Sequence, residues 1–547
     1  MRQIGAVVLA NLESEPRELY RWQLDALESW VRCGRRGVVE AVTGSGKTDV
    51  AIAAAADALR RGCFVLVVVP SRVLMEQWFG RLSDALPGRR IGRLGDSGKD
   101  HPDDCDVLVA TRHSAAAHRP TPPDGAGGLL IADECHGLGG KTLRRAMLRD
   151  YEERLGLTAT LERGDDGVTE LLVPYFGGIC HRYGFEQAID DGVCARPRVA
   201  LVGVPLSVEE RAEYTATEAQ LVNARQHLRQ VKDMPLEPFG DFLAAVAHLA
   251  DRDAGADGRA ARDYLDAFSK RRAIVAQSSG KYELLGDLAD AIRGAHGALV
   301  FTETVRAANH AINRLDPLVS IDLITGSTAR RQRKEILDDL RVRRLDAVAA
   351  PRVLDEGIDV PDANLGIVMS ASRTRRQMIQ RMGRVLRRKQ PGVAARFVIM
   401  FAKDTLEDPA NRMERDGFLD EMERIAEATG IFDSSQTDAL DAFLSAPGPD
   451  VVPEPALVER QAVLDALDVH VPPPVDDGPY LELELAELPA VTTPVAKPKQ
   501  LSTGQAPLEI ERSDAGWRIR CTGCGESSPA VAFRWQALDQ TIVCRCD

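Results

Sequence analysis

A glycine-rich loop at residues 41–48, Ala-Val-Thr-Gly-Ser-Gly-Lys-Thr, limits the folds open to this 547-residue chain more than any other feature. The loop follows the apolar pair Val38-Val39 and precedes a helix-like stretch from Asp49 to Arg61. A strand, a glycine loop and a helix in this order form a phosphate-binding loop. This part of the chain is therefore predicted to be α/β and to bind a nucleoside triphosphate, although Ala41 replaces the glycine of the strict pattern.

The residues of this loop have separate expected roles. Gly44 and Gly46 allow backbone N–H groups to approach the phosphates, and Lys47 reaches the β- and γ-phosphates. The hydroxyl of Thr48 is the expected Mg²⁺ ligand. The loop residues predicted to bind ATP are Thr43, Gly44, Ser45, Gly46, Lys47 and Thr48.

Short apolar runs alternate with helix-like stretches in two parts of the chain. The runs in residues 1–204 include Phe64–Val69, Val107–Ala110 and Leu129–Ala132. The runs in residues 291–430 are Ala298–Phe301, Ala347–Ala350, Leu365–Met369 and Phe397–Phe401. Continuous apolar strands between amphipathic helices are typical of a parallel sheet covered on both faces. The predicted fold class is α/β, with two doubly wound parallel-sheet domains.

Three further segments lack this alternation. Residues 205–290 contain long charged helical stretches and no strand-like run, which predicts a helical insertion. Residues 431–505 are rich in proline and acid and are interpreted as a largely disordered linker with one short helix around Leu457–Leu467. Residues 506–547 contain four clustered cysteines and are interpreted as a separate small module.

The formal net charge of −13 is unusual for a protein that contacts phosphate groups. Between Pro447 and Ala490, however, ten acidic residues accompany the single Arg460, which accounts for nine of the thirteen net negative charges. The rest of the chain is close to neutral and is free to carry basic patches. No apolar run approaches the roughly 18 residues of a membrane span, so a cytoplasmic protein is expected.

An acidic pair, Asp133-Glu134, follows the apolar run Leu129–Ala132. Acids at the carboxyl end of a strand are placed where α/β sheets bind ligands. Asp133 is predicted to bind Mg²⁺ and Glu134 to orient and deprotonate the attacking water; a solvated turn is the alternative. Gln23, one helix upstream of the phosphate loop, is predicted to bind the adenine edge, or else to be a solvated helix residue.

In this order, these stretches resemble superfamily 2 helicases with a DExH-type box, in particular the XPB/Rad25-like repair helicases and the motor subunits of restriction enzymes. The resemblance covers roughly residues 19–401 and implies two tandem RecA-like domains that hydrolyse ATP with Mg²⁺. The matching stretches are the phosphate loop, Val69–Arg72, Ala110–Arg112, Asp133–His136, Leu157–Thr160, Val300–Thr302, Asp355–Pro361 and Gln377–Arg388.

Residues 377–388 place Gln380, Arg384 and Arg387 on one helical face. The resemblance implies that Arg384 and Arg387 are arginine fingers, delivered from the second domain to the γ-phosphate; a basic solvated helix is the alternative. It also implies that Gly357 and Asp359 contribute to the nucleotide site. Residues expected to couple hydrolysis to domain movement are His136, Thr158, Thr160 and Gln380, although the two threonines could instead cap strand ends.

The resemblance further implies that loops of both domains contact the phosphate backbone of a nucleic acid. The candidate contacts are Ser71, Arg72, Thr111, Arg112, Thr302, Thr325 and Gly357. Two basic runs, residues 330–334 and 341–344, could extend this track or could simply be solvated helix faces.

The ten cysteines fall into two groups. Six are scattered and are interpreted as buried thiols of a reducing compartment: Cys33, Cys63, Cys105, Cys135, Cys180 and Cys194. The other four form two close pairs that predict a structural Zn²⁺ site: Cys521, Cys524, Cys544 and Cys546. Free thiols or a redox pair are the alternatives.

These observations predict an ATP- and Mg²⁺-dependent DNA helicase or translocase in DNA repair, restriction or phage defence. An RNA helicase is one alternative, because contacts to a phosphate backbone say little about the sugar. A second alternative is an ATP-switched clamp that holds DNA and recruits a nuclease without unwinding. A protein partner is expected at the zinc module or the acidic linker, and no membrane contact is expected.

Overall fold

The computed structural model describes residues 18–95, 98–140, 142–163, 165–231, 234–236, 239–351, 363–369, 383, 385–411, 422, 424–468, 508–513 and 516–521. Within these residues, no helix combines the length and the apolar composition needed to cross a bilayer.

The strands of the described chain are numbered in chain order. They are β1 (Leu19–Tyr20), β2 (Arg36–Ala41), β3 (Phe64–Val69), β4 (Ile91–Gly95), β5 (Gly98–Lys99), β6 (Val107–Thr111), β7 (Gly128–Asp133), β8 (Glu153–Thr158), β9 (Ile179–Tyr183), β10 (Pro197–Val204), β11 (Ala298–Thr302), β12 (Ile321–Leu323), β13 (Ala347–Pro351), β14 (Leu365–Val368), β15 (Ala395–Ala402), β16 (Ala428–Asp433), β17 (Leu457–Val458), β18 (Leu508–Ser513) and β19 (Gly516–Cys521).

The α-helices of the same residues are numbered separately. They are α1 (Arg21–Arg32), α2 (Lys47–Arg60), α3 (Arg72–Ala85), α4 (Arg112–His118), α5 (Val173–Phe176), α6 (Phe185–Asp190), α7 (Val208–Leu228), α8 (Phe239–Arg252), α9 (Ala256–Ala276), α10 (Ser279–Asp287), α11 (Ala289–Arg293), α12 (Val305–Leu315), α13 (Arg330–Arg341), α14 (Thr437–Ser445) and α15 (Arg460–Leu467).

The first domain is built on an eight-stranded sheet with the order β5-β4-β6-β3-β7-β8-β2-β9. Its strands run parallel except for β5, which is antiparallel to β4. Every residue of β3 is buried, as expected for a strand with helices on both faces of its sheet. The carboxyl ends of β2 and β7 lead directly into the phosphate loop and the acidic pair.

The second domain is built on a seven-stranded parallel sheet with the order β12-β13-β11-β14-β15-β10-β16. Strand β10 pairs along its whole length with β15, from Pro197 to Val204. The predicted α/β class with two parallel-sheet domains is confirmed. The boundary predicted at residue 204 was wrong, because β10 belongs to the second sheet although it precedes the helical insertion.

The acidic segment after the second domain is more ordered than its composition predicts. Strand β16 pairs with β10, and the buried Leu440 and Leu444 of α14 pack under the second sheet. The prediction of a largely disordered linker from residue 431 was therefore wrong up to residue 468, because a few apolar side chains at helical spacing suffice to dock a short helix. The predicted short helix near Leu457–Leu467 is present as α15.

The segment that carries α15 returns to the first domain. Strand β17 pairs antiparallel with β1, and Leu467 lies in the buried cluster that includes Trp30 of α1. The Arg35 guanidinium donates to the Leu467 carbonyl at 2.6 Å, and Arg60 forms a 2.5 Å ion pair with Asp468. The chain after the second sheet is thereby fixed to the helix that bears Gln23.

Both sheets lie in one compact unit, formed by Met1–Gln220 and Ala267–Leu481. The second unit combines the described residues of Leu221–Asp266 with those of the C-terminal segment, 508–513 and 516–521. Within this second unit, the rings of Phe242 and Tyr264 meet edge-on with centroids 5.3 Å apart, and β18 and β19 form an antiparallel hairpin. The helical insertion predicted for residues 205–290 corresponds to the helices α7 to α11.

The scattered cysteines are not all buried. Cys105, Cys135 and Cys194 are buried, whereas Cys63 and Cys180 are partly exposed. The prediction was wrong for Cys33, which is exposed at the end of α1 because the chain leaves the helix there for the turn into β2.

Candidate nucleotide site

The phosphate loop adopts the backbone conformation that its glycines predict. Gly44 and Gly46 have φ angles of +90° and +94°, in the left-handed region that favours glycine. The Lys47 ammonium donates to the carbonyl oxygens of Ala41 and Val42 at 2.6 and 3.4 Å. The loop is therefore closed on itself, with its lysine tied to the end of β2.

Gln23 is buried against this loop, with 2% of its surface exposed. Its Nε2 donates to the Gly46 carbonyl at 3.0 Å, while its Oε1 accepts from the Tyr20 N–H at 2.8 Å. A solvated helix residue would make neither contact. Gln23 thus holds the phosphate loop in this structure, and its predicted contact with adenine stays a prediction.

Asp133 lies partly buried at the end of β7. The indole N–H of Trp78 donates to its Oδ2 at 2.8 Å, and the Glu134 N–H donates to its Oδ1 at 3.0 Å. Burial, and then the charge of Glu134, raise the pKa of Asp133 to about 6, against the Trp78 hydrogen bond and the nearby charge of Lys47. The influence of Lys47 indicates that the acidic pair and the phosphate loop face one site.

The side-chain oxygens of Asp133 and Thr48 are suitable ligands for a magnesium ion. Mg²⁺ prefers oxygen ligands and usually takes only one or two from the protein, the rest coming from water and phosphates. Asp133 offers a carboxylate and Thr48 a hydroxyl, and two neighbouring, partly buried acids favour a bound cation. Over the described ranges, no group of three or more His, Cys, Asp or Glu side chains offers a self-contained metal site.

Glu134 is held in an uncommon backbone conformation. Its φ of +47° is in the left-handed region, which is sparsely populated by residues other than glycine and occurs often at functional sites. Its Oε2 lies 3.4 Å from Nδ1 of His136, and the same nitrogen lies 3.1 Å from the Thr158 hydroxyl. That hydroxyl also donates to the Thr160 carbonyl at 2.8 Å. His136, Thr158 and Thr160, the predicted coupling residues of the first domain, therefore form one hydrogen-bonded group, and the carboxylate of Glu134 lies beside its histidine.

The second domain reaches the phosphate loop through the segment that carries Arg387. The Ala195 N–H donates to the Leu386 carbonyl at 2.8 Å. A Cβ added to Gly44 would lie 2.8 Å from the Gly383 carbonyl oxygen and 3.5 Å from Cγ of Arg387. The loop and the segment are thus in close contact. The other predicted residues of the second domain, Gly357, Asp359, Gln380 and Arg384, lie outside the described residues.

The predicted nucleic-acid contacts occupy equivalent positions in the two sheets. Ser71 and Thr111 cap the N-termini of α3 and α4, each accepting a backbone N–H with its side-chain oxygen. The hydroxyl of Thr302 donates to the Thr304 carbonyl, and that of Thr325 lies 2.9 Å from the Ser327 hydroxyl. All four residues follow or end parallel strands, as do Arg72 and Arg112 at the first positions of their helices.

The predicted zinc ligands lie almost entirely outside the described residues. Cys521 ends β19, while Cys524, Cys544 and Cys546 lie beyond the described chain.

Sequence reasoning missed three contacts around the acidic pair. One is the Trp78 hydrogen bond to Asp133; another is the 2.7 Å bond from the Arg163 guanidinium to the His136 carbonyl. The third is the 2.7 Å bond from the Leu161 N–H to a carboxylate oxygen of Glu40. Only Glu40 carried a signal in the sequence, as a charge between the apolar pair Val38-Val39 and the phosphate loop.

Comparison with known proteins agrees with this geometry. The family model of the type III restriction enzyme res subunit matches residues 17–163, and that of the helicase conserved C-terminal domain matches residues 280–389. The DNA 3'-5' translocase XPB2 of Sulfurisphaera tokodaii is 31% identical over 405 residues, which cover 73% of this chain and 85% of that protein. The chain belongs to the XPB-like branch of the superfamily 2 helicases.

Other members of this branch are longer. The putative DNA 3'-5' helicase Rad25 of Halobacterium salinarum is 29% identical over 68% of this chain and 52% of its own length. The XPB subunit of the general transcription and DNA repair factor IIH of Drosophila melanogaster is 28% identical over 75% of this chain and 47% of its own length. The chain thus spans about half the length of these two relatives. The solved structure of S. cerevisiae Dbp5 bound to RNA and ADP BeF3 aligns with a TM-score of 0.49 and 12% identity, covering 81% of this chain and 95% of that chain.

Membership in this branch makes the protein an ATP-hydrolysing helicase with two RecA-like domains. The predicted family, fold class and enzyme class are confirmed, and the family implies ATP and Mg²⁺.

Proposed function

We propose that this helicase moves along DNA in the course of DNA repair, hydrolysing ATP between its two RecA-like domains. The observation that carries this proposal is the close approach of Gly383 and Arg387, in the second domain, to Gly44 of the phosphate loop. A nucleotide site divided between two domains can convert hydrolysis into a change of their separation. DNA is favoured over RNA because the XPB2 and Rad25 relatives are described as acting on DNA.

The described residues support a division of labour within the site. Lys47 and the loop N–H groups bind the phosphates, while Thr48 and Asp133 would hold Mg²⁺, which neutralises phosphate charge when bound. Glu134 is positioned by His136 at 3.4 Å to accept the proton of an attacking water. Arg387 supplies positive charge from the second domain, so the site is complete only when the two domains are close.

The test measures the ATPase rate of the purified protein without polynucleotide and with single-stranded DNA, duplex DNA or RNA. A strand-displacement assay and a triplex-displacement assay on the same samples separate unwinding from translocation, and Lys47→Met serves as the inactive control. We expect stimulation by DNA and displacement that depends on ATP. If RNA stimulates the ATPase more strongly than DNA does, the protein acts on RNA and the proposal of a DNA substrate is rejected.

An ATP-switched clamp is the competing function. It would bind DNA in an ATP-dependent manner but would displace neither a duplex strand nor a triplex strand. That result would reject movement along DNA while leaving the nucleotide site intact.

We also propose that the four C-terminal cysteines bind a structural Zn²⁺ and that the module they organise contacts a partner, either protein or nucleic acid. The pairing of Cys521 with Cys524 and of Cys544 with Cys546 supports a four-thiolate site. Zinc content of the wild type, measured against Cys521→Ser/Cys524→Ser, tests the metal. Equal zinc in the two proteins would reject it.

A further inference from the structure

Glu40 is a charged residue in the interior of a parallel sheet. It lies near the carboxyl end of β2, with Thr158 of β8 and Arg182 of β9 as its neighbours in register. Strands of such sheets are usually apolar along their length, because helices cover both faces. The Glu40 side chain is 24% exposed, so water solvates its carboxylate only in part and hydrogen bonds from the protein replace the rest.

The carboxylate of Glu40 has two contacts of unequal strength. Its Oε2 accepts the Leu161 N–H at 2.7 Å, and its Oε1 accepts from Nε of Arg182 at 3.3 Å. The side chain of Arg182 is 72% exposed, and exposed ion pairs contribute little to stability. Bonds between a carboxylate and a backbone N–H are among the stronger hydrogen bonds in proteins. The Leu161 N–H is therefore the main partner of Glu40.

Leu161 directly follows the turn formed by Thr158 and Thr160. The Thr158 hydroxyl donates to the Thr160 carbonyl at 2.8 Å and accepts the Thr160 N–H at 3.3 Å. The same hydroxyl lies 3.1 Å from Nδ1 of His136, beside the acidic pair. Glu40 thus holds the exit of a turn whose other side touches the hydrolytic residues.

The residues that follow Glu40 support the phosphate loop. The Ala41 and Val42 carbonyls accept the Lys47 ammonium, at 2.6 and 3.4 Å. Glu40 and Ala41 of β2 and the next residue, Val42, therefore contact both Lys47 and the exit of the threonine turn. When Lys47 turns to a bound phosphate, its bonds to these carbonyls are exchanged, and the end of β2 is where that change arises.

We propose that Glu40 is a positioning residue, which ties the Thr158–Thr160 turn to the strand end that supports the phosphate loop. When the phosphate loop binds or releases a nucleotide, the change at the end of β2 reaches the Thr158–Thr160 turn through the bond between Glu40 and the Leu161 N–H. The turn touches His136 beside the acidic pair, so this bond influences how strongly nucleic acid stimulates hydrolysis. Glu40 touches neither ATP nor the water in this role. The inference rests on the proposed function as a DNA-stimulated motor.

The test compares four variants by the kcat and KM of ATP hydrolysis, each with and without DNA. Glu40→Met keeps the side-chain length and removes the acceptor, Glu40→Asp keeps the charge and withdraws it from Leu161, and Glu40→Gln keeps an acceptor oxygen. Arg182→Ala is the matched control, because it removes the ion pair and leaves the bond to Leu161. Thermal unfolding of each variant verifies its fold.

We expect the ratio of kcat with DNA to kcat without DNA to fall about tenfold in Glu40→Met and in Glu40→Asp, with KM for ATP unchanged. Glu40→Gln should retain most of the stimulation, and Arg182→Ala should match the wild type. If Glu40→Met does not fold, Glu40→Asp carries the same prediction with the charge retained.

Three outcomes would overturn the proposal. One is wild-type stimulation in Glu40→Met or Glu40→Asp; another is an equal loss in Arg182→Ala, which would assign the effect to the ion pair. A third is a rise in KM for ATP in the Glu40 variants without a change in the ratio of kcat with DNA to kcat without DNA. Failure of the proposed function is distinct from these outcomes, because wild-type protein would then show no stimulation by DNA.

Discussion

The two sheets differ in how they are assembled from the chain. All eight strands of the first sheet come from residues 36–183, and the phosphate loop and acidic pair follow directly from two of them. The second sheet takes strands from residues 197–204, 298–402 and 428–433, on both sides of a helical insertion. The first domain therefore carries its phosphate loop and acidic pair in local sequence, whereas the second approaches the phosphate loop through Gly383 and Arg387, which lie between β14 and β15.

The two domains also differ in how they accommodate a fully buried cation. In the first, Arg154 donates to the carbonyl oxygens of Tyr151 and Tyr175 at 2.9 and 3.0 Å. In the second, the Lys281 ammonium donates to the carboxylate of Glu407 at 2.6 Å. The first domain thus uses backbone carbonyls of a loop and of α5, whereas the second joins α10 to the loop after β15 by a pair of charges.

The contribution of the second domain to hydrolysis should produce the largest effect. We expect Arg387→Ala to lower kcat about 1000-fold or more, as the loss of an arginine finger does, with the fold intact. Steady-state ATPase assays with DNA measure this. Arg388→Ala, which removes the exposed neighbour that contacts the Pro453 carbonyl, should retain the wild-type kcat. Equal losses in the two variants would mean that general positive charge, and not a placed guanidinium, is required.

The matching test of the first domain is Glu134→Gln. Loss of the general base should lower kcat about 100-fold or more while ATP still binds, because Lys47 and the loop are unchanged. Single-turnover hydrolysis and nucleotide binding by fluorescence separate the two quantities. Turnover close to that of the wild type would remove Glu134 from the hydrolytic role.

The buried ion pair of the second domain predicts a stability effect confined to that domain. Lys281→Met leaves Glu407 buried without its cation and should destabilise the second domain by about 3–5 kcal/mol. Native-state hydrogen exchange of the β15 amides measures this, with the β3 amides as the internal reference. Lys281→Met/Glu407→Gln should recover most of the loss, and a double variant as unstable as the single one would assign the effect to packing.

The smallest expected effect concerns the edge of the second sheet. Lys403 and Asp433 form a 2.6 Å ion pair that links the ends of β15 and β16, and both side chains are more than one-third exposed. We expect Lys403→Met to cost no more than about 1 kcal/mol at neutral pH. The Lys403 hydrogen bond, the main cause, lowers the pKa of Asp433 to about 2.

The lowered pKa of Asp433 determines how the stabilisation by this ion pair depends on pH. A carboxyl whose pKa is lower in the folded state than its unfolded value near 3.9 stabilises the fold above that value, and the contribution is lost as the pH falls towards about 2. The stability difference between wild type and Lys403→Met should therefore narrow between about pH 4 and pH 2. Hydrogen exchange measures the stability of the two proteins over this pH range. If their stability difference stays constant between about pH 4 and pH 2, the ionised Asp433 is not the source of that difference.

Much of the first domain could be predicted from sequence because its signals are local. The apolar run Phe64–Val69 is strand β3, and Asp133-Glu134 emerges at the end of β7 as expected. The same reasoning failed for β10, since an apolar strand fits either sheet and only its pairing with β15 decides its membership. It also failed for residues 431–468, because composition averages over the few side chains that dock α14 and α15.

The residues of the phosphate loop and its helix determined by themselves that this chain binds nucleotide phosphates, since glycine conformation and helix polarity are local properties. Only the tertiary structure decided that Gln23 holds the loop, that Trp78 donates to Asp133, and that Glu40 anchors the turn after β8. Each of these contacts joins residues that are remote in sequence and that the packing of helices and strands brings together. Hydrogen bonds of this kind depend on three-dimensional proximity, which no local pattern of residues specifies.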